Sequence, residues 1–177
     1  MSNKLKIKYN RYIDPVKLEQ WKIDSLQLSH VNRVSECEEL GELTKDFLSN
    51  YKIKYQNCYD TALQCVLNCQ NVNFILGYVI GGYNQISGHA WNKYNNIEFD
   101  LMQELNIQPV AYYRIVEISS SEIINYALSE HWLMDFAILE YYYEKHIATD
   151  EDYVTSSDDL DVTVLDVIGK KIQVQRK

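Results

Sequence analysis

Residues 88–102 read Gly-His-Ala-Trp-Asn-Lys-Tyr-Asn-Asn-Ile-Glu-Phe-Asp-Leu-Met, and this stretch decides the fold prediction. Side chains that alternate on both sides of Asn95-Asn96 indicate a β-hairpin with its turn at that pair. Such a turn places Trp91 opposite Asp100, which makes His89 a diagonal neighbour of Asp100 on the same face, at roughly 7 Å between backbones. The sequence therefore predicts a hairpin that brings an imidazole and a carboxylate within hydrogen-bonding reach.

The two faces of this hairpin differ in polarity. The face suited to a core carries Ala90, Asn92, Tyr94, Ile97, Phe99 and Leu101. The opposite face carries His89, Trp91, Lys93, Glu98 and Asp100, with Met102 at its end. Polar groups around a histidine are what a catalytic site needs, and they are also typical of an ordinary solvent face. The alternation leaves both interpretations open.

The rest of the chain predicts helices on either side of a mainly antiparallel sheet, which is an α+β fold. Helix-start signals are Asp14-Pro15, a capping box at Ser35–Glu38 with a helix to about Leu48, Asn57 as a cap, and a second capping box at Ser119–Glu122 that opens helical sequence to about His146, broken near Ser129. Predicted strands are Lys4–Tyr9, Asn73–Ile80, Val110–Ile118 and a C-terminal hairpin of Leu160–Ile168 with Lys171–Val174.

At 177 residues the chain has the size of one domain. We expect a single α+β domain over 1–149 with its core at about 50–118. Acidic residues concentrate after it, so 150–159 is predicted to be a solvated linker. Residues 160–177 are expected to form a hairpin packed on the same domain.

Composition excludes several classes of protein. A hydrophobic content of 46% with 24% charged residues is typical of a globular chain and not of a disordered one. A net charge of −8 argues against nucleic-acid or anionic-membrane partners. The start of the chain lacks the apolar region of a signal peptide, and the longest apolar run, Phe74–Ile80, is too short to span a bilayer. We expect a cytoplasmic protein.

Three of the four cysteines, Cys58, Cys65 and Cys69, share one face of the predicted helix after Asn57. At ~1.5 Å per residue, Cys58 lies roughly 10 Å from Cys65 and 16 Å from Cys69. One zinc ion with thiolates at ~2.3 Å cannot bridge those distances. We therefore predict no metal site and no cofactor, and interpret Cys65 and Cys69 as small buried apolar residues.

Cys58 differs because it falls in the first turn of that helix. Unpaired backbone N–H groups and the helix dipole there favour a nucleophilic thiolate and can hold the oxyanion of a tetrahedral intermediate. In the functional interpretation, His89 takes the thiol proton and later protonates the leaving group, while Asp100 orients the ring. In the alternative, the three residues are a helix-start cysteine, a surface histidine and a strand-end acid.

Four motifs follow one another along the chain: Cys58-Tyr-x-x-Ala-Leu63, Gly77-Tyr-Val79, His89-Ala-Trp91 and Phe99-Asp100. Their order resembles the core of transglutaminase-like domains of the papain-like cysteine superfamily, over about residues 50–118. The chain is also similar to small bacterial and phage proteins that continue into a Tyr-Tyr-Arg-Ile-type strand and a helix, as Tyr112–Ile115 and Glu122 onward do here.

The resemblance implies a helix bearing the cysteine packed on an antiparallel sheet, with flanking helices. By this resemblance, Cys58 is the nucleophile, His89 the base and Asp100 the acid that orients the base. It further implies an extra oxyanion donor before the cysteine, for which Gln56 and Asn57 compete, and Trp91 is a natural lid or wall for the thiol. Family members often have Thr or Pro soon after the aspartate, whereas this chain has Leu-Met-Gln.

The activity implied is cleavage or transfer of an acyl group from a protein or peptide amide through a thioester on Cys58. Water as acceptor makes the protein an amidase or peptidase, and an amine makes it an acyltransferase. Two alternatives remain: a non-catalytic protein-binding module on the same fold, and an acyltransferase like the arylamine acetyltransferases, which use the same triad. Thiol reactivity separates the first alternative, and labelling by an acyl-CoA separates the second.

Overall fold

A computed structural model describes residues 11–107, 109–129 and 137–154, and the backbone of 162–164 and 174–176. The chain divides into two compact units. One unit combines the two ends of the chain, Met1–Asp24 and Glu140–Lys177, and the other comprises Ser25–Leu139. All of the predicted site residues belong to the second unit. The prediction of one domain over 1–149 remains a prediction.

The described chain is a mixed α+β structure, as the sequence predicts. Its helices are α1 (Pro15–Asp24), α2 (Glu38–Asn50), α3 (Cys58–Asn68), α4 (Ser120–Leu128) and α5 (Ala137–His146). Its strands are β1 (Tyr12–Ile13), β2 (Gln27–Ser29), β3 (Val31–Asn32), β4 (Val72–Ile80), β5 (Ile86–Tyr94), β6 (Ile97–Phe99), β7 (Ala111–Ile118), β8 (Tyr153–Val154), β9 (Val162–Val164) and β10 (Val174–Arg176). In the described ranges, no helix is both long and apolar enough to cross a membrane.

A sheet of six strands forms the centre of the second unit, in the order β2-β7-β4-β5-β6-β3. Its pairs are antiparallel except for β3 with β6, which are parallel. The predicted buried strand Asn73–Ile80 is confirmed as β4, which lies between β7 and β5. Phe74, Ile75 and Leu76 are fully buried there, so β4 anchors both neighbouring strands in the core.

The predicted register of the hairpin is confirmed, because Tyr94 pairs with Ile97 and Asn92 with Phe99. The predicted extent is wrong at its second strand, since β6 ends at Phe99 and residues 101–105 form a short 3₁₀ helix. The Asp100 carboxylate causes this break: its Oδ1 accepts the N–H of Met102 at 2.8 Å and so caps the 3₁₀ helix. Within the described residues, β5 therefore has no strand partner on this edge before Asn92.

The helix start after Asn57 is confirmed in position, and two further predicted starts are confirmed together with their side-chain bonds. Pro15 opens α1, and the Asp14 carboxylate accepts the N–H of Val16 at 2.9 Å. Ser119 caps α4 by accepting the N–H of Glu122 at 3.3 Å. Both signals are local side-chain to backbone bonds, which is why a sequence pattern finds them.

The capping box at Ser35 is wrong. Helix α2 begins at Glu38 with Cys37 as its N-cap, and Ser35 lies in a preceding 3₁₀ helix. The carboxylate of Glu104 accepts the N–H groups of Val34 at 3.1 Å and Ser35 at 3.3 Å. A distant acid therefore takes the place of the local cap.

The prediction of a solvated linker is also wrong at its start, over residues 150–152. Asp150–Asp152 form a 3₁₀ helix, and β8 pairs antiparallel with β1. Asp152 is buried and forms an ion pair with Lys17 at 3.1 Å, so this acid is structural and not solvated. At the end of the chain β9 pairs antiparallel with β10, which reaches Arg176. The predicted strand Lys4–Tyr9 lies outside the described residues.

Candidate active site

A buried amide fixes helix α3 against strand β5. Asn92 of β5 is 1% exposed, and its amide donates to the carbonyl oxygens of Ala62 at 2.9 Å and Asn73 at 3.3 Å. Cys58 is the first residue of α3 and is 9% exposed. Because a satisfied buried amide holds its partners in one arrangement, the start of α3 has a defined position beside β5.

The sulfur of Cys58 lies at the edge of β5 that β6 leaves open. Interactions with the Ala90 N–H and with the His89 side chain both lower the pKa of this thiol, so both groups lie next to the sulfur. In a continuous hairpin the N–H of Ala90 would bond to the next strand. The early end of β6 at Phe99 thus makes room for the thiol.

His89 and Asp100 form the contact that the hairpin register predicts. The Nε2 atom of His89 lies 2.8 Å from Oδ2 of Asp100, and the two side chains are 11% and 2% exposed. Since Nε2 is occupied by the carboxylate, Nδ1 is the ring nitrogen available to Cys58. The structure therefore brings Cys58, His89 and Asp100 together: His89 bonds to Asp100 and lies close enough to Cys58 to change the pKa of its thiol.

The charges and hydrogen bonds around Cys58 and His89 favour a thiolate on the cysteine facing an imidazolium on the histidine. Burial by itself raises the pKa of Cys58, but the hydrogen bond from His89, its positive charge and the Ala90 N–H outweigh burial and lower that pKa. Burial by itself lowers the pKa of His89, but its hydrogen bonds to Asp100 and Cys58 and the negative charge of both raise it to about 10. The proton therefore resides on the ring rather than on the sulfur.

Trp91 forms a wall beside the imidazole. Its ring is 1% exposed and stacks on His89 with ring centroids 6.2 Å apart, and its Nε1 donates to Glu98 at 3.0 Å. Arg114 holds the other oxygen of Glu98 at 2.9 Å. The hairpin face that carries His89 is therefore buried around this residue and is not an ordinary solvent face. The hydrogen bond to Glu98 holds Trp91 in place.

Gln56 and Asn57, the predicted oxyanion donors, lie in the turn before α3. Gln56 is exposed, with a left-handed backbone (φ 59°). Asn57 occupies the N-cap position, but it does not cap with its side chain, which donates to Asp60 at 3.0 Å. Among the hydrogen bonds of the described residues, neither side chain is joined to Cys58 or His89.

Cys65 of α3 and Cys69, the residue that directly follows this helix, are both buried, as predicted. Cys65 is 0% and Cys69 6% exposed. The hydrogen bond to Cys69 and burial raise the pKa of Cys65, so that thiol stays neutral. Among the residues that the structure describes, no group of three or more His, Cys, Asp or Glu side chains is placed to hold a metal ion.

Two residues that sequence reasoning missed complete the site. The hydroxyl of Tyr112 donates to Oδ2 of Asp100 at 2.8 Å, and Gln103 donates to the Tyr112 oxygen at 3.1 Å. Tyr112 reaches this position because β7 pairs with β4 and not with its neighbours in sequence. No local pattern indicates such a contact.

Comparisons with protein-family models, with curated proteins and with solved structures find no match to this chain. The likeness to transglutaminase-like domains therefore rests on the four sequence motifs.

Proposed function

We propose that the protein is a cysteine-nucleophile enzyme that cleaves or transfers an acyl group from an amide through a thioester on Cys58. The observation that supports this best is that His89 lies between the Cys58 thiol, whose pKa it lowers, and the buried Asp100, which it contacts at 2.8 Å. A histidine between a helix-start cysteine and a buried acid is the arrangement that activates a sulfur nucleophile. We also propose that the chain has the papain-like fold that its resemblance to transglutaminase-like domains implies.

In the first half of the reaction, the thiolate of Cys58 attacks the amide carbonyl carbon and forms a carbon–sulfur bond. The carbonyl π electrons move to the oxygen, where the N–H of Cys58 in the first turn of α3 can stabilise the negative charge. The intermediate collapses as the carbon–nitrogen bond breaks, and Nδ1 of His89 gives its proton to the leaving amine. The product is a thioester on Cys58.

In the second half, the acceptor attacks the thioester. His89, now neutral, removes the proton from water or from an amine, and the carbon–sulfur bond breaks. Water yields a carboxylic acid, whereas an amine yields a new amide, and in both cases the sulfur returns as a thiolate beside an imidazolium. Asp100 keeps the ring oriented and stabilises its positive charge in both states.

Trapping the acyl-enzyme tests this proposal. The protein is mixed with p-nitrophenyl acetate near pH 7, quenched in acid and analysed by peptide mass spectrometry. We expect acetyl on Cys58, absent from the corresponding peptide of Cys58→Ala. Faster loss of the acetyl group on adding an amine identifies transfer, and loss at an unchanged rate identifies hydrolysis. If half-buried Cys37 is acetylated and Cys58 is not, the proposal is wrong.

A second arm replaces the ester with acetyl-CoA. Acetylation of Cys58 by the thioester at a rate comparable to that by the ester would favour the acetyltransferase-like alternative. The proposed amide chemistry predicts that acetyl-CoA labels Cys58 much more slowly than p-nitrophenyl acetate does.

The pH dependence of turnover follows from the two shifted groups. The amide leaving group needs a protonated His89, whose pKa is raised to about 10. The nucleophile needs a deprotonated Cys58, whose pKa is lowered. Turnover of an amide should therefore persist up to about pH 10, falling as the pH rises further, and should fall in acid as the thiolate is protonated. If turnover instead began to decline as the pH rose past about 6.5, the ordinary pKa of histidine, the assignment of a raised pKa to His89 would be contradicted.

A further inference from the structure

Tyr112 makes a contact that the reaction steps above do not use. Its hydroxyl donates to the same oxygen of Asp100 that accepts from His89, and both distances are 2.8 Å. We propose that Tyr112 is a positioning residue, whose hydroxyl, directed by Gln103, holds Oδ2 of Asp100 against Nε2 of His89. The inference deepens the proposed function and rests on it for its catalytic meaning.

The direction of the hydrogen bonds is fixed by Gln103. The Gln103 amide N–H donates to the Tyr112 oxygen at 3.1 Å, and an amide nitrogen has no capacity to accept. The single hydroxyl proton of Tyr112 is therefore free to point at Asp100. With the Gln103 amide reversed, two acceptors would compete for that one proton, so the donating orientation is the satisfied one.

Asp100 needs such a donor because it is buried. The residue is 2% exposed, and a carboxylate removed from water is costly unless hydrogen bonds replace its hydration. The N–H of Met102 donates to Oδ1, while His89 and Tyr112 donate to Oδ2. Loss of the tyrosine hydroxyl would leave Oδ2 with His89 as its remaining donor among these three.

The side chain of Tyr112 is packed against two neighbouring aromatic rings. The side chain is 5% exposed, and its ring packs edge-on against His89 at 6.0 Å and against Trp91 at 5.4 Å. Burial and the negative charge of Asp100 both raise the pKa of Tyr112, so the phenol remains a donor at neutral pH. Tyrosine here combines an aromatic wall with one directed proton.

Tyr112→Phe keeps the ring and removes that proton. Without that hydroxyl, Oδ2 is no longer held against Nε2, so the His89–Asp100 hydrogen bond that raises the pKa of His89 weakens, and the midpoint of the His89 titration should fall by about one pH unit. The thiolate of Cys58 loses part of its partner charge, so the midpoint of Cys58 alkylation should rise by a similar amount. A purely structural role for the ring would move neither midpoint.

The test measures His89 by NMR of the ¹³C-labelled imidazole and Cys58 by iodoacetamide alkylation across pH. Gln103→Leu is the second variant, and it should shift both midpoints in the same directions by less, because Tyr112 keeps its hydroxyl but loses the group that directs it. Tyr113→Phe is the matched control, since Tyr113 is the half-buried neighbour in β7 and should shift neither midpoint. Thermal unfolding confirms that each variant is folded.

The His89 midpoint tests the positioning role of Tyr112, and the Cys58 midpoint tests the proposed function. If the His89 midpoint is unchanged or rises in folded Tyr112→Phe, the positioning role is wrong. If that variant does not fold, Gln103→Leu decides by the same criterion. If the His89 midpoint falls but wild-type Cys58 titrates as an ordinary thiol, Tyr112 positions Asp100 as inferred and the proposed function fails.

Discussion

Replacing His89 with alanine should raise the midpoint of Cys58 alkylation to above about pH 9, whereas in the wild type we expect it well below the ordinary thiol value of ~8.5. In the wild type, the hydrogen bond and charge of His89 and the Ala90 N–H together outweigh the effect of burial on the pKa of Cys58. In the variant, the N–H of Ala90 remains, and burial dominates. The thiol then stays protonated at neutral pH.

The size of the effect follows from the thiolate fraction. For a midpoint at or above about 9, the rate of alkylation at pH 6 is about 0.1% of the plateau rate or less, whereas the lowered pKa of Cys58 gives the wild type a larger share of its plateau rate. Comparing rates within each variant cancels differences in intrinsic nucleophilicity between thiolates. Below both midpoints, each pH unit between them changes this ratio tenfold, so we expect it to fall by at least about tenfold.

His30→Ala is the control for this substitution, because His30 is an exposed histidine of the same compact unit. It should leave the ratio of rates unchanged. An unchanged ratio in folded His89→Ala would mean that the imidazole does not set the charge state of Cys58, and the proposed base would be wrong.

Gly77→Ala should cost about 3 kcal/mol or more of unfolding free energy, since forcing atoms into a packed site is destabilising by this order. A methyl group at Gly77 would lie 2.0 Å from the carbonyl oxygen of Tyr113 and 2.7 Å from Cη2 of Trp91. The pairing of β4 with β7 shifts register between Leu76 and Gly77, so the backbone of β7 approaches this position closely. A backbone oxygen cannot move aside as a flexible side chain can.

Gly41→Ala is the matched control in this protein. Gly41 lies within α2, and a methyl group there meets nothing within 4 Å. Alanine in a helix interior should increase the unfolding free energy by about 0.5–1 kcal/mol. Urea denaturation of both variants measures the two effects. Loss of less than about 1 kcal/mol in Gly77→Ala would show that β4 and β7 separate easily here, contrary to the tight packing beside Trp91.

Local chemistry explains which features the sequence predicts correctly. The register of β5 with β6 follows from a turn at Asn95, which has a positive φ of 53°, and from alternation in the adjacent strands. Asp14 and Ser119 bond to backbone N–H groups two and three residues away. The same hairpin register predicted that His89 and Asp100 are neighbours, so this part of the candidate site was also accessible from sequence.

Contacts between distant parts of the chain account for the errors and omissions. Ser35 looks like a helix cap, but Glu104 from the 3₁₀ helix after β6 takes its N–H group. Tyr112 and Gln103 join the candidate site only because the sheet brings β7 beside β4 and folds the chain after Asp100 back toward it. A pattern of residue types does not specify such pairings.

The most direct test of an activated Cys58 is iodoacetamide modification of the native wild-type protein across pH, with peptide mass spectrometry resolving each cysteine. Cys37 is the internal comparison, because it is more exposed than Cys58. We predict that Cys58 is modified faster than Cys37 at about pH 6, with a midpoint well below ~8.5. Modification of Cys58 no faster than Cys37, with a midpoint at or above that value, would contradict the account of Cys58 as the nucleophile.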